Sequence, residues 1–190
     1  MTHPHLPMLE KMADHVLAQG LTQATLRPLA RAAGTSDRML IYHFGSKDGV
    51  IAALLDHITQ RFTEILDATS LPAPAALADL IEALVAKMQG PAALPYGCLW
   101  LEVVAGAARG GGAYQNAATR ILAHFQGWIA ARLPPARRSA ADTSAAASFA
   151  LTVIEGCLLL GAAGKDSAPM IAAALSGLRA ATGINGTSQQ

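Results

Sequence analysis

The sequence predicts an all-α protein, with a three-helix helix-turn-helix head followed by a larger helical domain. Three observations carry that prediction. Apolar residues recur at three- and four-residue spacing through the first 66 residues; residues 25–47, TLRPLARAAGTSDRMLIYHFGSK, hold two short helical patterns meeting at a glycine; and the composition after residue 70 is rich in alanine, which favours helix. No stretch reads as a convincing strand.

The first helix follows from Leu6, Leu9, Met12, Ala13, Val16 and Leu17, which form one apolar stripe that Gly20 ends. Thr25 is placed to cap a second helix over Leu26–Ala33, with Pro28 in its first turn, where a missing backbone N–H does no harm. Gly34 can turn the chain, and Ser36 caps a third helix running to about Phe44. Leu26, Leu29, Ala30 and Ala33 should face inward, answered by Leu40 and Phe44. Ser46 then caps a longer helix through Val50, Ile51, Leu54, Leu55, Ile58, Phe62, Ile65 and Leu66.

The two prolines of residues 69–74 (TSLPAP) place a boundary there, which divides the chain into a head (1–47), a connecting helix (48–68) and a second helical domain (69–190). Breaks near residues 90–95, 110–112, 134–135 and 164–169 divide that second domain into roughly five helices. Residues 145–164 (AAASFALTVIEGCLLLGAAG) are long enough to cross a bilayer, but Glu155 near the middle costs about 2.5 to 3.5 kcal/mol on insertion scales, and no aromatic belt flanks the run. A buried helix of a cytoplasmic protein is expected instead, with no membrane partner. Ser144, Ser148, Thr152 and Glu155 fall on one stripe of it, leaving apolar faces for core and a second subunit. Phe149, Val153, Leu160, Met170, Leu175 and Leu178 are the candidates for that homodimer interface.

At 190 residues the chain can bury a core without staples, and two cysteines with no cleavable signal pattern fit a reduced interior, where Cys98 and Cys157 are expected as buried thiols. The formal net charge is +1, and over residues 1–66 six cations are matched by six carboxylates. Charge alone therefore does not point to nucleic acid. Local placement does more: Asp37 and Asp48 sit in first turns, where carboxylates favour the helix dipole, and basic groups remain able to gather on one side.

The helix-turn-helix grammar of residues 25–47 points to double-stranded DNA. Thr25, Ser36, Ser46 and adjacent amides suit phosphate oxygens, with simple capping as the alternative; a phosphate role is favoured for Thr25 and Ser36, and capping for Ser46. His43 and Lys47 are placed to reach the backbone, and Arg27 to reach a phosphate or a base. Thr35, Asp37, Arg38, Met39 and Tyr42 are the outward positions for major-groove edges, led by Arg38, whose fork matches guanine.

Taken together, Thr25, Leu29-Ala30, Ala33-Gly34, Ser36, Leu40, His43-Phe44 and Ser46-Lys47-Asp48 resemble the pattern of the TetR family of bacterial transcriptional regulators over about residues 6–60. The resemblance implies an all-helical homodimer, a DNA-binding head, and an effector-binding domain whose last two long helices build a four-helix interface. Many family members have tyrosine where this chain has Ile41, and here the aromatic is Tyr42. One position rotates a helical side chain by roughly 100 degrees, so Tyr42 does not inherit that contact and Ile41 is expected to join the core.

In the second domain, Met88, Tyr96, Cys98, Trp100, Leu101, Val104, Phe125, Trp128 and Ile129 are candidates to line an apolar effector cavity, against the alternative of ordinary core, and His124 and Glu155 to orient a polar group in it. No metal, cofactor or catalytic site is expected: His3 and His5 lie in a fraying terminus, the cysteines lack nearby ligand partners, and residues 110–112 follow no strand. The chain reads as a ligand-responsive repressor on a palindromic operator, with a helical small-molecule carrier bearing a degenerate helix-turn-helix as the alternative.

Overall fold

A computed structural model describes residues 5–68, 74–110, 112–134, 140–166 and 168–181. Among these, nine α-helices account for the fold: α1 (Leu6–Gln19), α2 (Leu26–Ala33), α3 (Asp37–Phe44), α4 (Lys47–Asp67), α5 (Leu77–Met88), α6 (Leu94–Ala108), α7 (Gly112–Ala130), α8 (Ala140–Ala162) and α9 (Ala168–Ala181). A short 3-10 turn, Leu21–Gln23, joins α1 to α2 and had no periodic signature in the sequence. The boundary expected at residues 69–74 and the break at residues 134–135 fall mostly outside the described residues.

The chain forms two compact units, and they do not follow a single cut along the sequence. The first holds α1–α4, α6 and α7 as far as Ala123; the second holds α5, α7 from His124 onward, α8 and α9. The core of the first unit explains the grouping. Leu9, Met12, Ala13 and Val16 from α1, Leu29, Ala30 and Ala33 from α2, Leu40 from α3, and Val50, Ile51, Leu54, Leu55 and Ile58 from α4 are buried in one cluster. Leu99 and Val103 of α6 and Ala117 and Ala118 of α7 complete it. The three-helix head therefore does not close its own core: part of its apolar lid comes from α6 and α7, through Leu99, Val103, Ala117 and Ala118. Ion pairs reinforce the packing, with Arg61 of α4 on Asp14 at 2.8 Å and Glu10 at 3.3 Å of α1, and Arg120 of α7 on Asp56 of α4 at 3.0 Å.

In the second unit α5 packs against α8 and α9. Leu80, Ile81, Leu84 and Val85 of α5 are buried, as are Trp128 and Ile129 of α7, Ala147, Ala150 and Ile154 of α8, and Ile171 and Leu175 of α9. The Arg179 guanidinium of α9 reaches Asp79 at 3.2 Å and Glu82 at 2.8 Å on α5, and the Ala75 N–H donates to the Arg132 carbonyl at 3.1 Å. Of the stripe expected on α8, Ser144 and Ser148 share one donor: Gln126 donates to the hydroxyls of Ser144 at 3.2 Å and Ser148 at 2.8 Å.

The expectation of two buried thiols is corrected. Cys98 is exposed and Cys157 half-buried, both free. On α6 the inward positions are taken by Leu99 and Val103, four residues apart, and Cys98 lies one helical step off that line.

Candidate nucleic-acid interface

The site is built around the turn between α2 and α3. Gly34 has φ 71° and ψ 34°, the left-handed conformation that a Cβ disfavours. Its N–H donates to the Arg31 carbonyl at 3.1 Å, and the Thr35 N–H donates to the Ala30 carbonyl at 2.9 Å. This crossed pair is a Schellman ending, which satisfies the last carbonyls of α2 and redirects the chain within two residues. Ser36 then takes extended dihedrals, and its hydroxyl accepts from the Met39 N–H at 3.3 Å, which starts α3.

On α3, Leu40 is fully buried, and at about 100 degrees per residue the positions opposite to it are Arg38 and Tyr42, with Met39 beside them. The exposures agree: Arg38 is exposed, Met39 is 40% exposed and Tyr42 is 79% exposed. Ile41 lies about a quarter-turn from Leu40 and is half-buried, so the expectation that it joins the core is only half met. Thr35 and Asp37 flank this face as half-buried residues, and the Asp37 carboxylate lies 4.0 Å from the Arg27 guanidinium, an exposed and loose pair.

The caps divide differently from expectation. Thr25 occupies the N-terminal position of α2 with extended dihedrals, but its side chain makes no capping hydrogen bond, which corrects its expected cap and leaves the exposed hydroxyl to other acceptors. Ser46 does cap α4, accepting from the Gly49 N–H at 3.0 Å. Lys47, the first residue of α4, is exposed, and neither it nor Arg38 forms an ion pair among the described residues. The neutral sum over the head thus hides a partition. Glu10, Asp14 and Asp56 are engaged by Arg61 and Arg120, while Arg38 and Lys47 are left outside these pairs.

Two residues enter the site unannounced. His5, expected in a fraying terminus, sits in the N-cap position before α1 and lies against His43 at 4.4 Å between ring centroids and against Phe44 at 5.5 Å. His43 in turn meets Tyr42 edge-on at 5.3 Å, so the outermost ring of α3 is held by a row of rings. Glu102 of α6 is half-buried, and its carboxylate accepts from the Leu21 N–H at 2.7 Å. The positive φ of Gly20 and the absence of a Cβ there make the room, since a Cβ would lie 2.8 Å from Glu102 Oε1. Tyr114 of α7 sits near both Glu102 and Asp48; burial first, then those two carboxylates, raise its pKa above the ordinary phenol value.

The candidate effector residues are divided between the units. Tyr96, Cys98, Trp100, Leu101 and Val104 belong to the first; Met88, Phe125, Trp128, Ile129 and Glu155 to the second. Tyr96 and Trp100 pack against the first unit's core, with Tyr96 stacked on Phe62 at 5.0 Å, whereas Cys98 and Val104 are exposed. Trp128 and Ile129 are buried, the former under the Arg132 guanidinium at 3.4 Å, and Met88, Leu101, Phe125 and Glu155 are half-buried; His124 is exposed. Of the interface candidates, Phe149 and Met170 are exposed and Val153, Leu160 and Leu178 half-buried. Leu175 is only 3% exposed and packs inside its own unit, so it is not free to meet a second copy, while Leu159 is 61% exposed and had not been expected.

A tight glycine turn between two short helices, with an outward face of arginine, methionine and tyrosine and with cations beside it that form no ion pair among the described residues, has the geometry of a helix-turn-helix. Residues 13–54 match the sequence profile of the bacterial regulatory proteins of the tetR family. The whole fold is similar to a TetR-family transcriptional regulator from Rhodococcus sp., with 21% identity over 90% of this chain and 93% of that one and a TM-score of 0.66. It is similar to Salmonella enterica GusR at 20% identity, 94% and 97% coverage and a TM-score of 0.63. It is also similar to a TetR transcriptional regulator from Legionella pneumophila at 15% identity, 96% and 98% coverage and a TM-score of 0.58. Comparison with curated protein sequences returns no match. The family match is thus confined to residues 13–54, which span α2, α3 and parts of α1 and α4, while the solved structures share the fold of the chain.

Proposed function

We propose that this protein acts as a ligand-responsive repressor, binding a palindromic operator as a homodimer with one α3 per major groove. The observation that carries the DNA part is the outward face of α3: Arg38, Met39 and Tyr42 point away from buried Leu40 immediately after a Schellman turn. Around it, Thr25, Ser36 and Lys47 serve the phosphates, with Arg27, Thr35, Asp37 and His43 at the edges. Repression follows from occupancy of promoter DNA by the dimer. The protein works in the cytoplasm without a cofactor or metal.

For the homodimer, the support is apolar surface that one copy leaves uncovered. Ala141–Ala162 of α8 is long and apolar enough to cross a membrane, with 17% of its most apolar window buried. Phe149, Leu159 and Met170 lie exposed on α8 and α9. Glu155 near the middle of that helix argues for a second copy as its cover and against lipid.

For effector response, the support is the placement of α6. It contributes Leu99 and Val103 to the head's core and holds the turn before α2 through Glu102. An apolar small molecule taken up among the α6 candidates of the first unit, Tyr96, Trp100 and Leu101 foremost, would shift α6 and with it the head. Two heads must meet half-sites about 34 to 36 Å apart, so a small displacement costs affinity; a coupling of about 1 to 3 kcal/mol is roughly 5- to 150-fold.

Binding to duplex DNA selected from a random library, followed over a range of salt, tests this reading. Arg38→Ala and Lys47→Ala should each weaken binding, and Lys47→Ala should reduce the salt slope by about 1. Unchanged affinity and slope in both variants would return the chain to a small-molecule carrier with a degenerate helix-turn-helix.

A further inference from the structure

We propose that the α3 face reads thymine through its 5-methyl group, which Met39 and Tyr42 bury between them. The proposal rests on the DNA-binding reading above and deepens it by naming the base.

The chemistry of the face narrows what it can recognise. Bidentate recognition of adenine needs Asn or Gln, and α3, Asp37–Phe44, contains neither. Asp37, the sole carboxylate of α3, lies in its first turn, half-buried and 4.0 Å from Arg27. Arg38 is the one fork, which suits guanine O6 and N7. The remaining outward surface is mostly apolar, the Met39 side chain and the ring of Tyr42 below its hydroxyl; the two residues, three apart and therefore neighbours on the helix, are 40% and 79% exposed. The only apolar group that a base pair presents in the major groove is the thymine methyl.

Both side chains suit that task. Methionine is unbranched and adapts to an irregular apolar surface. Tyrosine brings a broad ring with few torsions to lose, and here the ring is already braced: it meets His43 edge-on at 5.3 Å, and His43 rests against His5 at 4.4 Å. Leu40, fully buried, fixes the rotation of α3 so that the pair faces outward. Burying one methyl is worth about fourfold in affinity.

Selected duplexes allow a direct test, because deoxyuridine in place of thymidine removes the methyl and leaves the pairing edge unchanged. The full chain should bind its selected duplex about fourfold more weakly when deoxyuridine replaces thymidine at one or two positions per half-site. In Tyr42→Ala and Met39→Ala, which alter exposed positions, that penalty should shrink or vanish at those positions. Tight binding that is indifferent to every deoxyuridine substitution overturns the proposal and leaves the DNA-binding reading intact. A penalty that persists undiminished in the Met39→Ala Tyr42→Ala double variant overturns it as well. Failure to enrich any duplex overturns both readings together.

Discussion

The carboxylate of Glu102 accepts a hydrogen bond from the Leu21 N–H at 2.7 Å, across a separation of 81 residues. Through it α6 holds the turn that feeds α2, and the pocket for the carboxylate exists because residue 20 is glycine at positive φ. A half-buried hydrogen bond to a charged group contributes about 1.5 to 3 kcal/mol before solvent is allowed for. Glu102→Ala should lower stability in urea by about 1 to 2 kcal/mol and speed hydrogen exchange at the Leu21 amide, while Glu102→Gln, which keeps an acceptor, should lose less. Gly20→Ala should reproduce much of the Glu102→Ala loss, because the added methyl meets the carboxylate in a strained backbone conformation. Unchanged Leu21 exchange in Glu102→Ala would remove this strut from the account.

Gly34 supplies a separate, purely backbone test. A Cβ there meets no atom within 4 Å, so the cost of substitution is conformational. Gly34→Ala should destabilise the chain by about 1 to 2 kcal/mol, and Gly34→Asn by clearly less, since asparagine tolerates the left-handed region. Equal losses in the two variants, measured by urea unfolding, would mean that the turn is not held by its φ.

How much of this was legible beforehand can be read from the same residues. The bounds of α2 and α3 followed from Thr25, Gly34 and Ser36, because helix-end positions and turns are local and residue-specific, even though Thr25 makes no capping hydrogen bond. The family pattern lay in the same local stretch. What stayed hidden was non-local: Glu102 on Leu21, His5 on His43, and the use of Leu99 and Val103 to close the head's core leave no periodic mark in the sequence. Charge misled for the same reason. A net sum of zero says nothing about which cations Asp14 and Asp56 engage. On α8, small residues surround the helix, so spacing alone did not tell exposed Leu159 from buried positions.

The phenol of Tyr114 predicts an alkaline effect. Its folded pKa is raised, by burial and then by Asp48 and Glu102, so the folded state holds the proton more tightly than the unfolded chain. The resulting stabilisation is fully present below the unfolded value near 10 and is lost as pH rises through the higher folded value. Unfolding midpoints should therefore fall above about pH 10, and Tyr114→Phe, which keeps the ring against Gly106, should flatten that fall. An identical alkaline slope in Tyr114→Phe would assign the effect to other groups.

For assembly, Phe149→Glu and Leu159→Glu place charge on exposed positions of α8 that one copy leaves uncovered. Sedimentation should find the parent chain as a dimer and each variant shifted to folded monomer, with helical content retained. A parent chain that sediments as a monomer at micromolar concentration would rule out the homodimer.

The central claim is that two copies of α3 enter successive major grooves of one symmetric site. Hydroxyl-radical footprinting of the chain on a duplex recovered from genomic DNA tests it most directly. The account predicts two protected patches on the same face of the duplex, related by two-fold symmetry and centred about 34 to 36 Å or a multiple apart, both lost in Arg38→Ala. A single asymmetric patch, or protection that survives Arg38→Ala unchanged, would contradict it.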